Sequence, residues 1–288
     1  MRDLALTFAG GGNRAFYQYG LMTQWGPQLA PRLAGAASCS AGACVAVMWV
    51  TGHRERARTI FYERTQGLTR NLDFSNLFRG KRIAPHGEVY RDIMLAMLRD
   101  GGLDTVRALP WPLYVMVSGF PRWLPSVLAT VVGISAYQLE KALRPRMVHP
   151  SFGRALSFRP DVFDMRACES PEELAALVLA SSATPPFTPL GWFRGRHYLD
   201  GGMVDNAPAF VADAIPGVRR NIVLLTRPYP EGLLGVQGSR LYIAPRQPVP
   251  CGRWDYTRPE TVDLAVDVGA RDAAEHAPLL DAFLAAER

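Results

Sequence analysis

The 288-residue sequence predicts an α/β fold with a largely parallel central sheet. Two observations carry this. Short, continuous apolar runs bounded by glycine or proline recur along the chain, and segments with helical spacing lie between them. The composition agrees: 48% of residues are hydrophobic and 20% charged, enough apolar material for a sizeable core. No internal repeat or low-complexity tract interrupts the pattern. One domain is therefore expected over residues 1–288, with its motifs between about 4 and 206 and a strand-and-helix portion over about 207–288.

The elements follow in order. Leu4–Phe8 is an apolar run read as a buried strand. Residues 14–25 place Ala15, Phe16, Tyr19, Leu21, Met22 and Trp25 near helical spacing. Residues 33–38 form a strand of mostly small residues. Residues 41–50 are apolar on nearly all sides, which predicts a buried helix. Helices are expected at 54–66 and 88–98, and a strand at 113–117 between Pro112 and Gly119. A further helix over 171–182 has Pro171 at its start and Glu172 and Glu173 in its first turn. Strands at 221–226 and 241–244 precede a mostly helical segment at 263–286, with breaks expected near Gly269 and Pro278.

Three short motifs carry chemistry. Gly10-Gly11-Gly12-Asn13-Arg14 follows the first strand. Consecutive glycines leave backbone N–H groups open to a close-approaching anion, and a helix beginning there adds its positive end. Ser38-Cys39-Ser40-Ala41-Gly42 places Ser40 among small residues at a strand-to-helix turn, where a nucleophilic hydroxyl can be exposed. Tyr198-Leu199-Asp200-Gly201-Gly202 places a carboxylate at a strand end in a tight turn, as a candidate base. Gly10, Gly11, Gly12 and Ala41 are the candidate oxyanion donors. Arg14 reads as a brace for the glycine turn, with contact to an anion as its other reading.

With the three motifs in this order, the chain resembles the patatin-like phospholipase family, whose members carry GGGxR, a GxSxG serine and a DGG or DGA aspartate. GGGNR and DGG match, and Ser38 stands where the family has its first elbow glycine. The resemblance implies a three-layer α/β/α fold around a central, mostly parallel sheet. It also implies a lipid or phospholipid substrate and ester hydrolysis through an acyl-serine, with Ser40 as nucleophile and Asp200 as its base. An alanine- and proline-rich turn like that of residues 181–187 occurs in the family, so this corner is read as lining the substrate cleft.

Two other readings stay open. The order Ser40, Asp200, His276 fits a Ser-Asp-His hydrolase, although none of the five histidines sits in a recognisable context and His197 lies only three residues from Asp200. A non-hydrolytic lipid binder would retain the glycine turn without the chemistry. A nucleotide loop is disfavoured, since no lysine-serine or lysine-threonine pair follows the glycines.

The four cysteines form no CxxC pair and no metal-ligand spacing, so neither metal nor cofactor is expected. Without an evident signal peptide, the expected location is cytoplasmic or peripheral to a membrane, with non-classical secretion as a further route. The net charge is +6, and only Lys81 and Lys141 among the 32 basic residues are lysines. The basic groups at 54–58, 79–82, 144–146 and 219–220 read mostly as solvated surface, with attraction to an anionic lipid surface or phosphate head group as the other reading. Their scatter and the lack of a reading motif argue against nucleic acid. Residues 120–134 carry Trp123, Leu124, Val127, Leu128, Val131, Val132 and Ile134, too few to span a bilayer. They read equally as a flap over a lipid cleft or as a core helix.

Overall fold

The structure, a computed structural model, describes residues 2–73, 83–185 and 187–286. Arg79, Lys81, Arg82 and Pro186 lie outside them. Seven strands form the main sheet: β1 (Leu4–Phe8), β2 (Leu33–Cys39), β3 (Leu113–Gly119), β4 (Arg159–Asp164), β7 (Arg220–Leu224), β8 (Gly235–Gln237) and β9 (Arg240–Ile243). Their order is β4-β3-β2-β1-β7-β9-β8. The five inner strands run parallel, and β4 and β8 close the edges antiparallel. A separate hairpin pairs β5 (Gly191–Phe193) with β6 (Arg196–Tyr198).

Period-two alternation sends successive side chains to opposite faces. Leu4, Leu6 and Phe8 of β1, with Ile222 and Leu224 of β7, enter the larger core. Ala5, Ala37 and Met116 enter a second core, and Val223 and Tyr242 a third. The larger core is covered by α1 (Phe16–Leu29), α2 (Ala41–Thr51), α3 (Arg54–Thr65), α4 (His86–Leu98), α5 (Gly102–Arg107), α8 (Pro171–Ser181) and α10 (Glu260–Ala285). The opposite face carries α6 (Ser126–Leu143) and α9 (Ala209–Asp213), while α7 (Phe152–Ala155) packs beside α6. The result is a three-layer α/β/α arrangement around a mostly parallel sheet, as the sequence predicts.

Two expectations are corrected. The last helix is unbroken across Gly269 and Pro278. Gly269 is there for contact: a Cβ on it would lie 2.0 Å from the Tyr17 carbonyl oxygen, and one on Gly20 would lie 2.0 Å from that of Val266. Two facing glycines thus let α1 and α10 touch backbone to backbone. The packing of Val262, Ala265, Ala273, Leu280 and Phe283 into the large core carries the helix past its proline.

Residues 120–134 are neither a wholly buried helix nor a detached flap. Within α6, Ala129, Gly133, Ala136 and Glu140 face inward, while Trp123 before it and Val127, Leu128 and Val131 on it are exposed. The short strand expected before Asp200 is β6; the short elements β4, β5, β8, α5, α7 and α9 were not foreseen, because each is brief and lacks a period long enough to register.

The arginines of α3 are structural rather than free. Arg54 and Arg58 both bind Asp263, at 2.7 and 2.8 Å, and Arg56 pairs with Asp100. Among the described residues, no helix is long and apolar enough to cross a membrane, and no cluster of side chains could hold a metal ion.

Candidate active site

The three motifs meet at the carboxyl ends of the inner strands. The glycine turn leaves β1, Ser40 follows β2, and Leu199 bridges Ser118 at the end of β3, which places Asp200 beside them. The strand order departs in both directions from β1, and such a switch point opens a crevice in parallel sheets.

Ser40 sits at the N-terminus of α2 with φ 52° and ψ −132°, in a backbone region that a side chain rarely adopts. Neighbouring contacts enforce this turn. The Ser40 N–H donates to Ser181 Oγ at 2.8 Å, and Ser181 Oγ donates on to the Met116 carbonyl at 2.6 Å. Gly42 admits the β1 end: a Cβ there would lie 2.4 Å from the Phe8 carbonyl oxygen. Ser38, in the place of the family's elbow glycine, lies within β2 and donates its hydroxyl to the Tyr114 carbonyl at 2.8 Å. The added polar group is thereby satisfied.

Ser40 Oγ donates to Asp200 Oδ2 at 2.9 Å. The other carboxylate oxygen accepts the Gly202 N–H at 2.7 Å, and Thr184 Oγ1 reaches Oδ2 at 3.3 Å. The backbone of Asp200 is pinned on both sides: its N–H donates to the Ala183 carbonyl, and its carbonyl accepts from Ser118 Oγ. Burial raises the Asp200 carboxyl above the ordinary carboxylate value, against the opposing pull of the Arg253 charge and of the hydrogen bonds from Gly202, Ser40 and Thr184. Cys39, next to Ser40, is fully buried, and burial with the nearby Asp200 charge pushes its thiol well up, which disfavours a thiolate.

The glycine turn is held through its carbonyls. Gln18 Nε2 donates to the Ala9 carbonyl at 2.8 Å, Asn206 Nδ2 and Thr226 Oγ1 donate to that of Gly10, and Arg14 Nε reaches that of Gly11 at 3.4 Å. Gly10 is corrected as an oxyanion donor, because its N–H donates to the Asn206 carbonyl at 2.9 Å. The N–H groups of Gly11, Gly12 and Ala41 have no acceptor among the described residues. Gly12 has φ 59°, and a Cβ on it would lie 2.1 Å from the Arg253 carbonyl oxygen, so only glycine fits.

Gly12, Ser40 and Ala41 line a mostly apolar cavity with Phe16, Tyr90 and Trp254. His86 borders it as well, bonded to the Tyr256 hydroxyl, and burial lowers its imidazole to about 3. No described histidine bonds to Ser40 or Asp200. His276 lies on α10, and His197 stacks edge-on against Trp192.

Sequence reasoning placed Thr184 only within the 181–187 corner read as lining the cleft, and it did not single out Gln18, Asn206, Thr226 or Arg253 as site residues. Arg253 lies in the last 80 or so residues, where no motif stands, and the others act through single hydrogen bonds that leave no spacing signature.

A model of the patatin-like phospholipase family matches residues 6–213. Among solved structures, VipD from Legionella pneumophila is similar, at 12% identity over 98% of this chain and 67% of that one, with a TM-score of 0.46. No curated protein matches the sequence.

Proposed function

The chain belongs to the patatin-like phospholipase family, and on that premise we propose that it is a lipid acyl hydrolase working through a covalent acyl-serine. The observation that carries this reading is the 2.9 Å hydrogen bond from Ser40 Oγ to Asp200 Oδ2 beside the free N–H groups of the glycine turn. Asp200 takes the Ser40 proton as Oγ bonds to the acyl carbon, and the carbonyl oxygen becomes an oxyanion. The N–H groups of Gly11 and Gly12, with that of Ala41 at the start of α2, stabilise this charge. The intermediate collapses and expels the alcohol, which receives the proton from Asp200. Water then attacks the acyl-serine, giving a proton to Asp200 and releasing the acid. The proton returns to Ser40.

A free aspartate, at about 3.9, is a weak base for a serine hydroxyl. Burial of Asp200 raises its basicity, which supports this assignment. The apolar cavity beside Ser40 suits an acyl chain. The exposed Trp123, Val127, Leu128 and Val131 support contact of α6 with a lipid surface.

The test is hydrolysis of a panel of phospholipids, galactolipids, neutral lipids and short esters, with products identified by mass. Fatty acid released by wild type and lost in Ser40→Ala supports the reading. A folded wild type that releases no acid from any ester overturns it.

A further inference from the structure

Gly10 and Gly11 border a second, polar cavity that shares no lining residue with the Ser40 cavity. Four cationic side chains line it: Arg14 from the turn, Lys141 from α6, Arg227 just after β7, and Arg253. They come from four separate parts of the chain, and among the described residues no carboxylate lines the cavity with them. None of the four pairs with a carboxylate among the described residues. Arg14 reaches the Gly11 carbonyl, and Arg227 binds the Tyr229 hydroxyl and the carbonyls of Pro145 and Met147. Arg253 Nε is buried without an acceptor.

Most other clustered arginines of this protein are neutralised. Arg54 and Arg58 share Asp263, Arg32 and Arg220 share Asp3, and Arg144 holds Glu140. Like charges brought together without counter-ions repel one another, and that repulsion is relieved by a bound anion. The proton affinities carry the same sign. Burial lowers both Arg14 and Lys141, and the neighbouring charges of Arg253 and Arg227 lower them further.

We propose that this cavity is a phosphate-binding site formed by Arg14, Lys141, Arg227 and Arg253, and that it holds the phosphate of an anionic lipid head group while the ester of the same lipid reaches Ser40. Guanidinium groups bind phosphate oxygens with charge-assisted, often paired hydrogen bonds, which accounts for three arginines here. Arg253 and Trp254, adjacent in sequence, border the polar and the apolar cavity respectively. The glycine turn contributes to both, with Gly12 at the apolar cavity and Gly10 and Gly11 at the polar one. Four positive charges favour a head group of net negative charge over a zwitterionic choline or an uncharged sugar. This inference rests on the hydrolase reading for its substrate, but the anion site itself does not.

Two measurements test it. The first compares kcat/KM for phosphatidic acid and phosphatidylcholine in mixed micelles, for wild type and for Lys141→Gln, Arg227→Gln and the double variant, each checked for folding by circular dichroism. The expected preference for phosphatidic acid falls roughly tenfold per charge removed and weakens at high salt. The second is calorimetric titration of the same proteins with inorganic phosphate. Binding by wild type that is lost in the double variant supports the site. If the double variant does not fold, Lys141→Gln alone provides the comparison. Phosphate binding with equal rates on the two lipids assigns the site to a soluble phosphate compound and overturns the head-group assignment. Equal rates without phosphate binding overturn the whole proposal. If those equal rates come with turnover of p-nitrophenyl esters, the hydrolase reading stands. A protein that binds phosphate but cleaves no ester leaves the anion site and removes the hydrolase.

Discussion

Ser40 Oγ donates a 2.9 Å hydrogen bond to Asp200 Oδ2, joining residues 160 positions apart. The bond survives in a fully buried carboxylate because that carboxylate also accepts from Gly202 and Thr184. Burial raises the Asp200 carboxyl, and the Arg253 charge opposes the rise. The base works only when deprotonated, so kcat/KM falls as pH drops through this raised value. The acid limb of the profile is expected above the free-aspartate value of about 3.9. Arg253→Gln removes the opposing charge and is expected to move that limb upward. A limb at or below the free value, or one unmoved in a folded Arg253→Gln, would count against Asp200 as the base.

The elbow at Ser40 holds φ 52° and ψ −132°, a sparsely populated region that costs a non-glycine residue about 1–3 kcal/mol. Ser40→Ala and Ser40→Gly both remove the hydroxyl, but only glycine relieves the backbone. The glycine variant is expected to unfold at the higher temperature of the two, by roughly 1 kcal/mol after its greater unfolded-state entropy is subtracted. Equal melting temperatures would mean that the turn stores no strain.

Gly12→Ala places a Cβ against the Arg253 carbonyl at a positive φ. It is expected to lower kcat more than it raises KM, by about 10²-fold or more, since one oxyanion donor is commonly worth about 3 kcal/mol. Steady-state kinetics on the folded variant decide this. An unchanged kcat with a raised KM would make the glycine turn a binding element only.

Much of the site was legible in the sequence because each part of it is local. A glycine run after an apolar strand, a serine among small residues, and an aspartate before two glycines are each written in five residues. The parallel inner strands were legible for the same reason. What escaped was long-range. Arg253 meets Arg14 and Arg227 only in the folded chain, and Asn206 supports Gly10 across 196 residues. Glycine at 269 reads as a helix breaker until α1 is packed against it. The exposed face of α6 could not be told from a core face by hydrophobicity alone, because large apolar residues lie on both: Val132 and Ile134 pack inward while Val127, Leu128 and Val131 are exposed.

Trp123, Val127 and Val131 form the outer apolar surface at α6. Replacing the three with serine is expected to leave the fold intact, since none of them is buried. The variant is expected to lose several-fold of its activity on vesicles relative to a soluble ester. Co-sedimentation with vesicles and paired assays measure both effects. Unaltered vesicle binding by the folded variant would remove α6 from the lipid contact.

His276→Ala and His197→Ala, singly and together, are expected to keep most of the hydrolytic rate, because neither ring bonds to Ser40 or Asp200. A histidine that shuttles the proton leaves a loss of several powers of ten when it is removed. A loss of about 10³-fold in either variant, comparable to Asp200→Asn, would replace the dyad with a triad.

The most direct measurement is labelling by a fluorophosphonate probe, which reacts only with an activated serine, followed by mass mapping of the modified peptide. Wild type is expected to carry the label on Ser40. Cys39→Ala is expected to retain it, Ser40→Ala to lose it entirely, and Asp200→Asn to react at least about 10²-fold more slowly. A folded wild type that takes no label, a label that persists in Ser40→Ala, or an Asp200→Asn protein that reacts at the wild-type rate would contradict the Ser40–Asp200 account.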